Sequence, residues 1–292
     1  MTLKLWCVNP SENKIKSCKN VSVAEDHLSI YFFYVSNESV LITLPNSKHI
    51  LYDCGDVSAA ADLHEKMLDL GVTALDVMVA SHTHKDHVAG FYEFASLPDR
   101  QVKMGDLYDN GEESSDKWFV KYKEFRNNLP DGGTYHSMRS SQGNTQLSLD
   151  DTVFINLYVS YDWIVTSESS RKYRSLWMKI KYKNSTILLA GDSKKAYEKI
   201  MVNNFPIGES QILKLSEHGS RESTTKPFLE RMKPLFAVAC NKDHPNLPHP
   251  EVIERLQNNH VKLYSTIERE KDIEIHTDGT LNNGLLAYKF IL

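Results

Sequence analysis

The sequence predicts an α+β fold in which two β-sheets pack face to face and helices cover the outside. Two patterns along the 292 residues support this prediction. Short apolar segments separated by turns come first, and alternating strand-type and helix-type segments follow. The composition, with 41% hydrophobic and 25% charged residues, is that of an ordinary globular protein. No solenoid-type repeat and no low-complexity linker interrupts the pattern, so we expect one domain over residues 1–292.

The first elements are three short strands followed by a helix. Apolar segments separated by turn residues predict an antiparallel meander. These segments are Leu28–Val35, Val40–Leu44 and His49–Asp53. Residues 58–70 have apolar side chains at helical spacing, with Ser58 as candidate N-cap and Gly71 as the end. Asp76–Ala80 is apolar again and predicts another strand.

The rest of the chain predicts alternating helices and strands. The predicted helices are Val88–Leu97, Ser115–Leu129, Lys194–Val202, Thr225–Met232 and Pro250–Asn258. The predicted strands are Thr152–Val159, Ser175–Tyr182, Thr186–Ala190, Gln211–Leu215, Leu235–Ala239, Val261–Tyr264, Asp272–His276 and Leu285–Phe290. The segment Asp131–Ser148 is rich in glycine, serine and asparagine and predicts a loop.

Charge and cysteine content restrict the class of protein. The net charge of −4 argues against a surface built throughout for nucleic acid, because phosphate binding depends on excess lysine and arginine. The four cysteines lack CxxC spacing, so we expect neither a zinc ribbon nor a disulfide framework. We therefore expect the protein to occupy a reducing compartment. The N-terminus lacks a signal-peptide pattern, and the longest apolar run, Leu28–Val35, is far shorter than the roughly 20 residues that span a bilayer. We therefore expect a cytoplasmic protein without a membrane span.

The segment from His82 to His87 reads His-Thr-His-Lys-Asp-His and carries the main chemical signal. Its three imidazoles and the Asp86 carboxylate lie on a turn after a predicted buried strand, where they can surround two nearby points. Imidazole suits Zn²⁺, and a carboxylate suits harder ions such as Mn²⁺, so the pattern favours a two-metal site. The alternative is an exposed polar turn in which these residues meet by chance, but such a turn needs no histidines.

Further candidate ligands follow other predicted strands. Asp192 follows an apolar run through Gly191, and glycine would let the backbone come close to the site. His218 follows the predicted strand Gln211–Leu215, and Asp53 ends its own strand. Taken singly, Asp53 or Asp192 is more typical of a turn residue. Carboxylate and imidazole groups at four strand ends, however, form a convergent arrangement.

This ordered series resembles the motifs of the metallo-β-lactamase superfamily. The motifs are Asp53-x-Gly55, His82-x-His84-x-Asp86-His87, Gly191-Asp192 and His218. Within the superfamily, the chain is most similar to the hydrolase domain of the ComEC DNA-uptake family. The segments that carry this similarity are Leu213–Ser220, His244-Pro245, His249–Leu256, Tyr264–Thr266 and Ile275–Gly279. The resemblance covers nearly the whole chain and implies an αββα sandwich of two mixed sheets.

The resemblance also implies ligands for two divalent metal ions, zinc or manganese. His82 and His84 would hold one ion, and Asp192 would bridge the two. The other ion would be held by Asp86, His87 and His218. Asp53 would support the first histidines from behind.

Three departures from the family pattern make the implied site asymmetric. Glu217 stands where the family has the first histidine of its His-His-Gly-Ser element. Residues 35–39 replace a glycine-rich turn. The only candidate for a third histidine ligand of the His82/His84 ion is His136. Because His136 lies in a predicted loop, we do not include it among the predicted ligands.

Hydrolysis by a metal-activated water requires no protein nucleophile. Asp86 is predicted to orient that water, and His249 to donate a proton or a hydrogen bond to the leaving group. The alternative for His244 and His249 is a cap on the helix that begins at Pro250.

The ComEC-like segments favour phosphodiesters, so we predict a metal-dependent phosphodiesterase or nuclease that acts on nucleic acid or nucleotides. A basic stretch with interleaved aromatic residues agrees with this substrate. It comprises Arg171, Lys172, Arg174, Lys179, Lys181 and Lys183, with Tyr173, Trp177 and Tyr182. Alternating lysines are nevertheless more typical of the polar face of a half-buried strand. Two other functions stay open, a degenerate binding or regulatory protein and a hydrolase of a small lactone or lactam.

Overall fold

Eighteen strands in two sheets form the framework of the residues that the computed structural model describes. These residues are 2–9, 11–18, 26–141, 143–162, 174–282 and 285–292. The strands of the larger sheet are β1 (Leu3–Asn9), β2 (Lys14–Ser17), β3 (Leu28–Phe32), β4 (Val40–Thr43), β5 (His49–Tyr52), β6 (Ala74–Ala80), β7 (Lys103–Asp109), β8 (Tyr135–Ser137), β16 (Ile273–Thr277), β17 (Leu281–Asn282) and β18 (Leu285–Ile291). Those of the smaller sheet are β9 (Asn144–Asp150), β10 (Val153–Tyr158), β11 (Trp177–Tyr182), β12 (Ser185–Leu189), β13 (Ile212–Lys214), β14 (Phe236–Ala239) and β15 (Lys262–Ser265).

Both sheets are mixed. The larger sheet has the order β2-β1-β18-β16-β3-β4-β5-β6-β7-β8, with β17 paired to β18. Its β5 to β8 run parallel and its other pairs are antiparallel. The smaller sheet has the order β15-β14-β13-β12-β11-β10-β9, and β12 to β15 run parallel.

Six of the seven helices of the described residues lie in the connections between parallel strands, and the last one lies between β15 and β16. The helices are α1 (Ala60–Asp69), α2 (Lys85–Ala95), α3 (Lys117–Asn127), α4 (Lys195–Asn204), α5 (Lys226–Met232), α6 (Pro250–Asn258) and α7 (Thr266–Arg269). Short 3₁₀ turns occupy Val57–Ala59, Pro130–Gly132 and Ser216–Gly219. In the described part of the chain, every helix is too short or too polar to span a bilayer.

Alternating side chains on the central strands of the larger sheet divide the core into two layers. Ile42 and Val79 face the smaller sheet and belong to the large apolar cluster between the sheets. Leu41 and Met78 face the opposite way and pack in a second cluster with residues of α1, α2 and α3. The predicted α+β fold of two face-to-face mixed sheets with helices outside is confirmed.

The segment predicted to be a loop, Asp131–Ser148, is only partly one. It contains β8 and most of β9. β9 is the edge strand of the smaller sheet, and Leu147 is its one buried side chain. A strand this exposed needs few apolar residues, so its polar composition gave the wrong prediction.

Two cysteines contradict the expected absence of disulfides. Cys7 and Cys18 form a disulfide with their Cα atoms 5.7 Å apart. The two residues are brought together by the antiparallel pairing of β1 with β2, a hairpin that the sequence analysis did not predict. Cys54 and Cys240 are buried free thiols, and burial raises the pKa of both.

Candidate metal centre

Four strands end where the edges of the two sheets meet. In the larger sheet, β5 and β6 lead directly into Asp53 and the segment from His82, and the two strands are parallel. In the smaller sheet, the parallel strands β12 and β13 lead toward Asp192 and His218. His82 Nε2 lies 3.9 Å from Asp192 Oδ2, so groups from both sheets share one site.

Unusual backbone conformations bring these side chains together. The φ angle is +58° at Asp53 and +53° at His218, a left-handed conformation that non-glycine residues adopt rarely and often at functional sites. Gly191 has a φ of +54°, and a side-chain carbon there would lie 2.7 Å from Ser175 Oγ. Only glycine therefore fits immediately before Asp192.

Asp192 lies at the centre of the site. Its Oδ2 is 3.3 Å from His87 Nε2 and 3.9 Å from His82 Nε2. Its Oδ1 is 3.7 Å from His218 Nε2. One carboxylate thus faces three imidazoles from two sheets, which is the placement that a bridging ligand requires.

Asp53 supports a different histidine from the one expected. Its Oδ2 lies 2.9 Å from His87 Nδ1, and its Oδ1 accepts a hydrogen bond from the Ser81 backbone N–H at 2.7 Å. His82 Nδ1 instead lies 3.0 Å from Ser81 Oγ. Asp53 therefore orients His87 directly and reaches the His82 segment only through Ser81.

His84 and Asp86 form a pair at the mouth of the site. His84 Nδ1 contacts Asp86 Oδ1, and the His84 side chain is 40% exposed. Asp86 Oδ2 lies 3.9 Å from His87 Nε2. His84 therefore contacts Asp86, and its side chain is more open to solvent than those of His82 and His87.

The buried atoms of the site fit a divalent cation. Within the described residues, His82 Nε2, His87 Nε2, His218 Nε2 and Asp192 Oδ1 are buried and have no hydrogen-bond partner. Such orphaned polar atoms are rare in proteins and costly unless a partner is supplied. Ligand atoms of Glu38, His87, Asp192 and His218 also lie within 4.8 Å of one another. The mixture of imidazole nitrogen and carboxylate oxygen suits zinc and related ions.

Burial keeps two of the imidazoles, those of His82 and His218, in the neutral form. Burial lowers the pKa of His82 well below its usual value, and it lowers the pKa of His218 to about 4. Burial alone would raise the pKa of Asp192, but His87 and His218 hold it well below its usual value. Burial alone would lower the pKa of His87, but Asp192 and Asp53 raise it well above its usual value. At neutral pH the site therefore offers two neutral imidazoles, His82 and His218, and an ionised Asp192 carboxylate, whereas a metal would have to displace a proton from His87.

A buried ion pair that the sequence analysis missed lies beside His218. Lys214 and Glu38 are both fully buried and in contact, and Lys214 Nζ also donates to the Gly191 carbonyl at 3.3 Å. Glu38 Oε2 lies 3.4 Å from His218 Nδ1. Burial raises the pKa of Glu38 to about 7, although Lys214 opposes the rise. The available signal was a lysine inside the apolar run that forms β13.

Two residues at which the chain departs from the family pattern have partners outside the imidazole cluster. The Glu217 carboxylate lies 3.3 Å from Lys194 Nζ, and burial raises its pKa. The His136 ring stacks on Tyr108 with centroids 4.4 Å apart, and its Nε2 lies 3.4 Å from Asp106.

The two candidate proton donors occupy different positions. The His244 ring lies 5.4 Å from the His218 ring, and ligand atoms of Asp86, His218 and His244 lie within 4.8 Å of one another. His249 precedes α6, and its Nδ1 accepts a hydrogen bond from the Arg221 backbone N–H at 3.0 Å. The geometry brings His244 into the site and engages His249 with the neighbouring loop.

The basic stretch does not form a continuous phosphate-binding surface in its described part. Arg174 is buried in contact with Glu112. Lys179 shares a face of β11 with the exposed Lys181, but it is buried there and donates to the Glu209 carbonyl and to Ser210 Oγ. Lys183 Nζ donates to the Asp278 carbonyl at 3.0 Å. Arg171, Lys172 and Tyr173 lie outside the described residues.

Comparisons with known proteins give distant relatives. No protein-family model matches the chain. The competence protein ComA of Neisseria gonorrhoeae is 24% identical over 86% of this chain and 33% of its own length. The anti-Pycsar protein Apyc1 of Bacillus phage BSP38 is 28% identical over 43% of this chain and 52% of its own length. The chain thus spans about a third and about half of these relatives.

A solved structure shares the fold. A crystal structure from Parabacteroides distasonis, described as a metal-dependent hydrolase, superposes with a TM-score of 0.50. The alignment covers 82% of this chain and 92% of that chain at 12% identity. At this identity the similarity concerns the fold alone.

Proposed function

Because the chain has the metallo-β-lactamase fold, we propose that it is a metal-dependent hydrolase that cleaves phosphodiester bonds in nucleic acid or nucleotides. The observation that carries the proposal is the placement of three buried imidazoles around the Asp192 carboxylate. The substrate class rests on the resemblance to the ComEC family and on the ComA match. The fold alone would not identify the substrate class, because one fold hosts several hydrolytic reactions.

The proposed cofactors are two divalent ions, zinc or manganese. His87, His218 and Asp86 would hold one ion, His82 and His84 would hold the other, and Asp192 would contact both. Metal ions bound there would lower the pKa of a water and neutralise charge on a phosphate. The more exposed His84 makes the second position the more open of the two.

Residues of the chain then orient the reactants. Asp86 lies at the mouth between His84 and His87, where its carboxylate can orient an attacking water. Burial alone would raise the Asp86 pKa, but the hydrogen bond from His84 and the nearby His87 lower it, so the carboxylate is ionised. His244, on the side of His218, is placed to donate a hydrogen bond to a leaving oxygen. His249 stays a prediction for the same role.

Alanine at Asp86 tests the proposed activity. Wild type is expected to cut at least one of single-stranded DNA, duplex DNA, RNA and cyclic dinucleotides with Mn²⁺ or Zn²⁺. Asp86→Ala should lower the rate by about 10²–10⁴-fold, the usual contribution of a positioned acid or base. Asp69→Ala, at an exposed position on α1, is the matched control and should leave the rate unchanged. If wild type cuts none of these substrates but opens lactones or β-lactams, or if Asp86→Ala cuts equally well, the phosphodiesterase proposal is wrong.

The two histidine candidates can be separated by the leaving group of the substrate. His244→Gln should slow cleavage of a dinucleotide by about 10²-fold, because a poor leaving group needs a proton or hydrogen bond. The same variant should barely slow cleavage of bis(p-nitrophenyl) phosphate, whose leaving group needs no such help. His249→Gln should affect both substrates alike. A selective loss in His249→Gln, with no selective loss in His244→Gln, would assign the role to His249.

A retained fold without catalysis is the second candidate. Glu217 in place of a histidine, paired with Lys194, is the observation that favours it. A protein of this kind would contain little metal after purification without chelator, so elemental analysis separates the two candidates.

A further inference from the structure

The ion pair of Lys194 and Glu217 lies beside the metal centre. Lys194 comes two residues after Asp192, and Glu217 comes directly before His218. The Glu217 backbone N–H donates to the Gly191 carbonyl at 3.0 Å, so the loops that carry these two candidate ligands are in contact here. Lys194 Nζ lies 3.3 Å from Glu217 Oε1 and connects the same two loops through their side chains.

The charges of the pair are close enough to the site to interact with it. Burial raises the pKa of Glu217, and the negative charge of Asp192 adds to the rise. Because such an interaction weakens with distance, the Glu217 carboxylate lies near the carboxylate that faces the three imidazoles. Lys194, in contact with Glu217, is therefore a cation at the edge of the metal centre.

Lys194 differs from the lysine that follows it. The Lys194 side chain is 28% exposed. The Lys195 side chain is 65% exposed, although it too has an acidic partner, Glu222, at 3.1 Å. The φ angle of Glu217 is +46°, a left-handed conformation that is rare for a non-glycine residue and is often found at functional sites. The pair at the metal centre is thus more buried than its neighbour and includes an unusual backbone conformation.

A cation at this position suits an anionic substrate. A phosphodiester carries a negative charge at the bond to be cut, whereas the scissile carbonyl of an ester, lactone or lactam carries none. Residues two apart in sequence lie within about 7 Å of each other, so the long Lys194 side chain can reach a substrate bound at Asp192. An ammonium group has three donor protons, so it can contact a phosphate oxygen and keep Glu217 as a partner.

We propose that Lys194 donates a hydrogen bond to a non-bridging oxygen of the phosphodiester that the site cleaves. Lys194 thereby favours a phosphodiester over an uncharged ester or lactone. The inference rests on the proposed phosphodiesterase function and names a residue that selects its substrate class. It also gives a role to the departure from the family pattern at Glu217, because a histidine there would offer Lys194 no carboxylate.

Methionine at Lys194 tests this inference. Affinity for inorganic phosphate is measured by isothermal titration calorimetry on the zinc-loaded protein, beside the KM for bis(p-nitrophenyl) phosphate. Lys194→Met should bind phosphate at least about 10-fold more weakly, because a hydrogen bond between charged groups is lost. The KM should rise about 10-fold as well, because the substrate carries its charge before the reaction begins.

Two control variants make the result specific. Lys194→Arg keeps a cation at the same position and should stay within about 3-fold of wild type in both measurements. Lys195→Met removes the neighbouring exposed lysine and should behave as wild type, because solvent and salt screen its charge. Elemental analysis should give the same metal content for all three variants and wild type.

The outcomes separate this inference from the proposed function. An unchanged phosphate affinity and KM in Lys194→Met would refute the role of Lys194. An equal loss in Lys195→Met would also refute it, since the effect would then be one of general charge. A loss of metal from Lys194→Met would show instead that the lysine supports the metal centre. If wild type neither binds phosphate nor cleaves a phosphodiester, the proposed function itself is wrong.

Discussion

Asparagine at Asp192 is expected to remove metal and activity together. Asparagine keeps the size of the side chain but loses the charge that faces His82, His87 and His218. Among the described residues, no other carboxylate has an oxygen within 4.0 Å of a nitrogen of each of these imidazoles. The affinity for Zn²⁺ or Mn²⁺ should fall more than about 100-fold, beyond the effect usual for residues that only support a ligand.

Two comparison variants make this result specific. Asp53→Asn removes the support of His87 and should weaken metal binding by about 10–100-fold. Asp151→Asn, at an exposed turn, should bind metal like wild type. Affinity is measured by competition with a chromophoric chelator, metal content by elemental analysis, and folding by circular dichroism. A folded Asp192→Asn protein with wild-type affinity would contradict the central position of Asp192.

Methionine at Lys214 is expected to produce a large loss of stability. Methionine preserves the length of the side chain but leaves the Glu38 carboxylate fully buried without its cation. Breaking a buried pair in this way costs about 3–5 kcal/mol in the free energy of unfolding. Because Lys214 also donates to the Gly191 carbonyl, the position of Asp192 should loosen, and metal affinity should fall as well.

A double-mutant cycle separates the pair from the loss of either residue. Glu38→Gln/Lys214→Met removes both charges and should recover a large part of the stability that Lys214→Met loses. Unfolding is followed in urea with EDTA present, so that metal loss does not enter the comparison. Additive effects of the two substitutions would show that Glu38 and Lys214 do not depend on each other.

The sequence predicted the parts of the site that are local in the chain. His82 to His87 lie on one turn, and Asp192 and His218 each follow an apolar strand, so strand ends identified them. The partners of these residues depend on long-range contacts. The same sequence pattern is compatible with Asp53 beside His82 or beside His87, and only the packing of the strand ends decides between them.

The same limit applies to the prediction of the fold from the sequence. Alternating and helical apolar patterns predicted both sheets and the main helices, because burial on one face leaves a periodic signal. Edge strands leave a weaker signal, and so β2, β8 and β9 were missed. The interior strands β1 and β7 were missed as well, because fewer than half of the side chains in each are buried. The position of Lys214 in the apolar β13 was a local signal, but nothing local identified Glu38 as its partner, since the two residues are far apart in sequence.

The division of the metal ligands between the two sheets also bears on how the protein assembles. His82, His84, Asp86 and His87 belong to the half of the chain that forms β6 and α2, whereas Asp192 and His218 follow strands of the other sheet. A fragment with either half alone lacks part of the donor set. Tight metal binding would therefore require both halves of the chain to be folded together. A bound ion would in turn stabilise the association of the two halves.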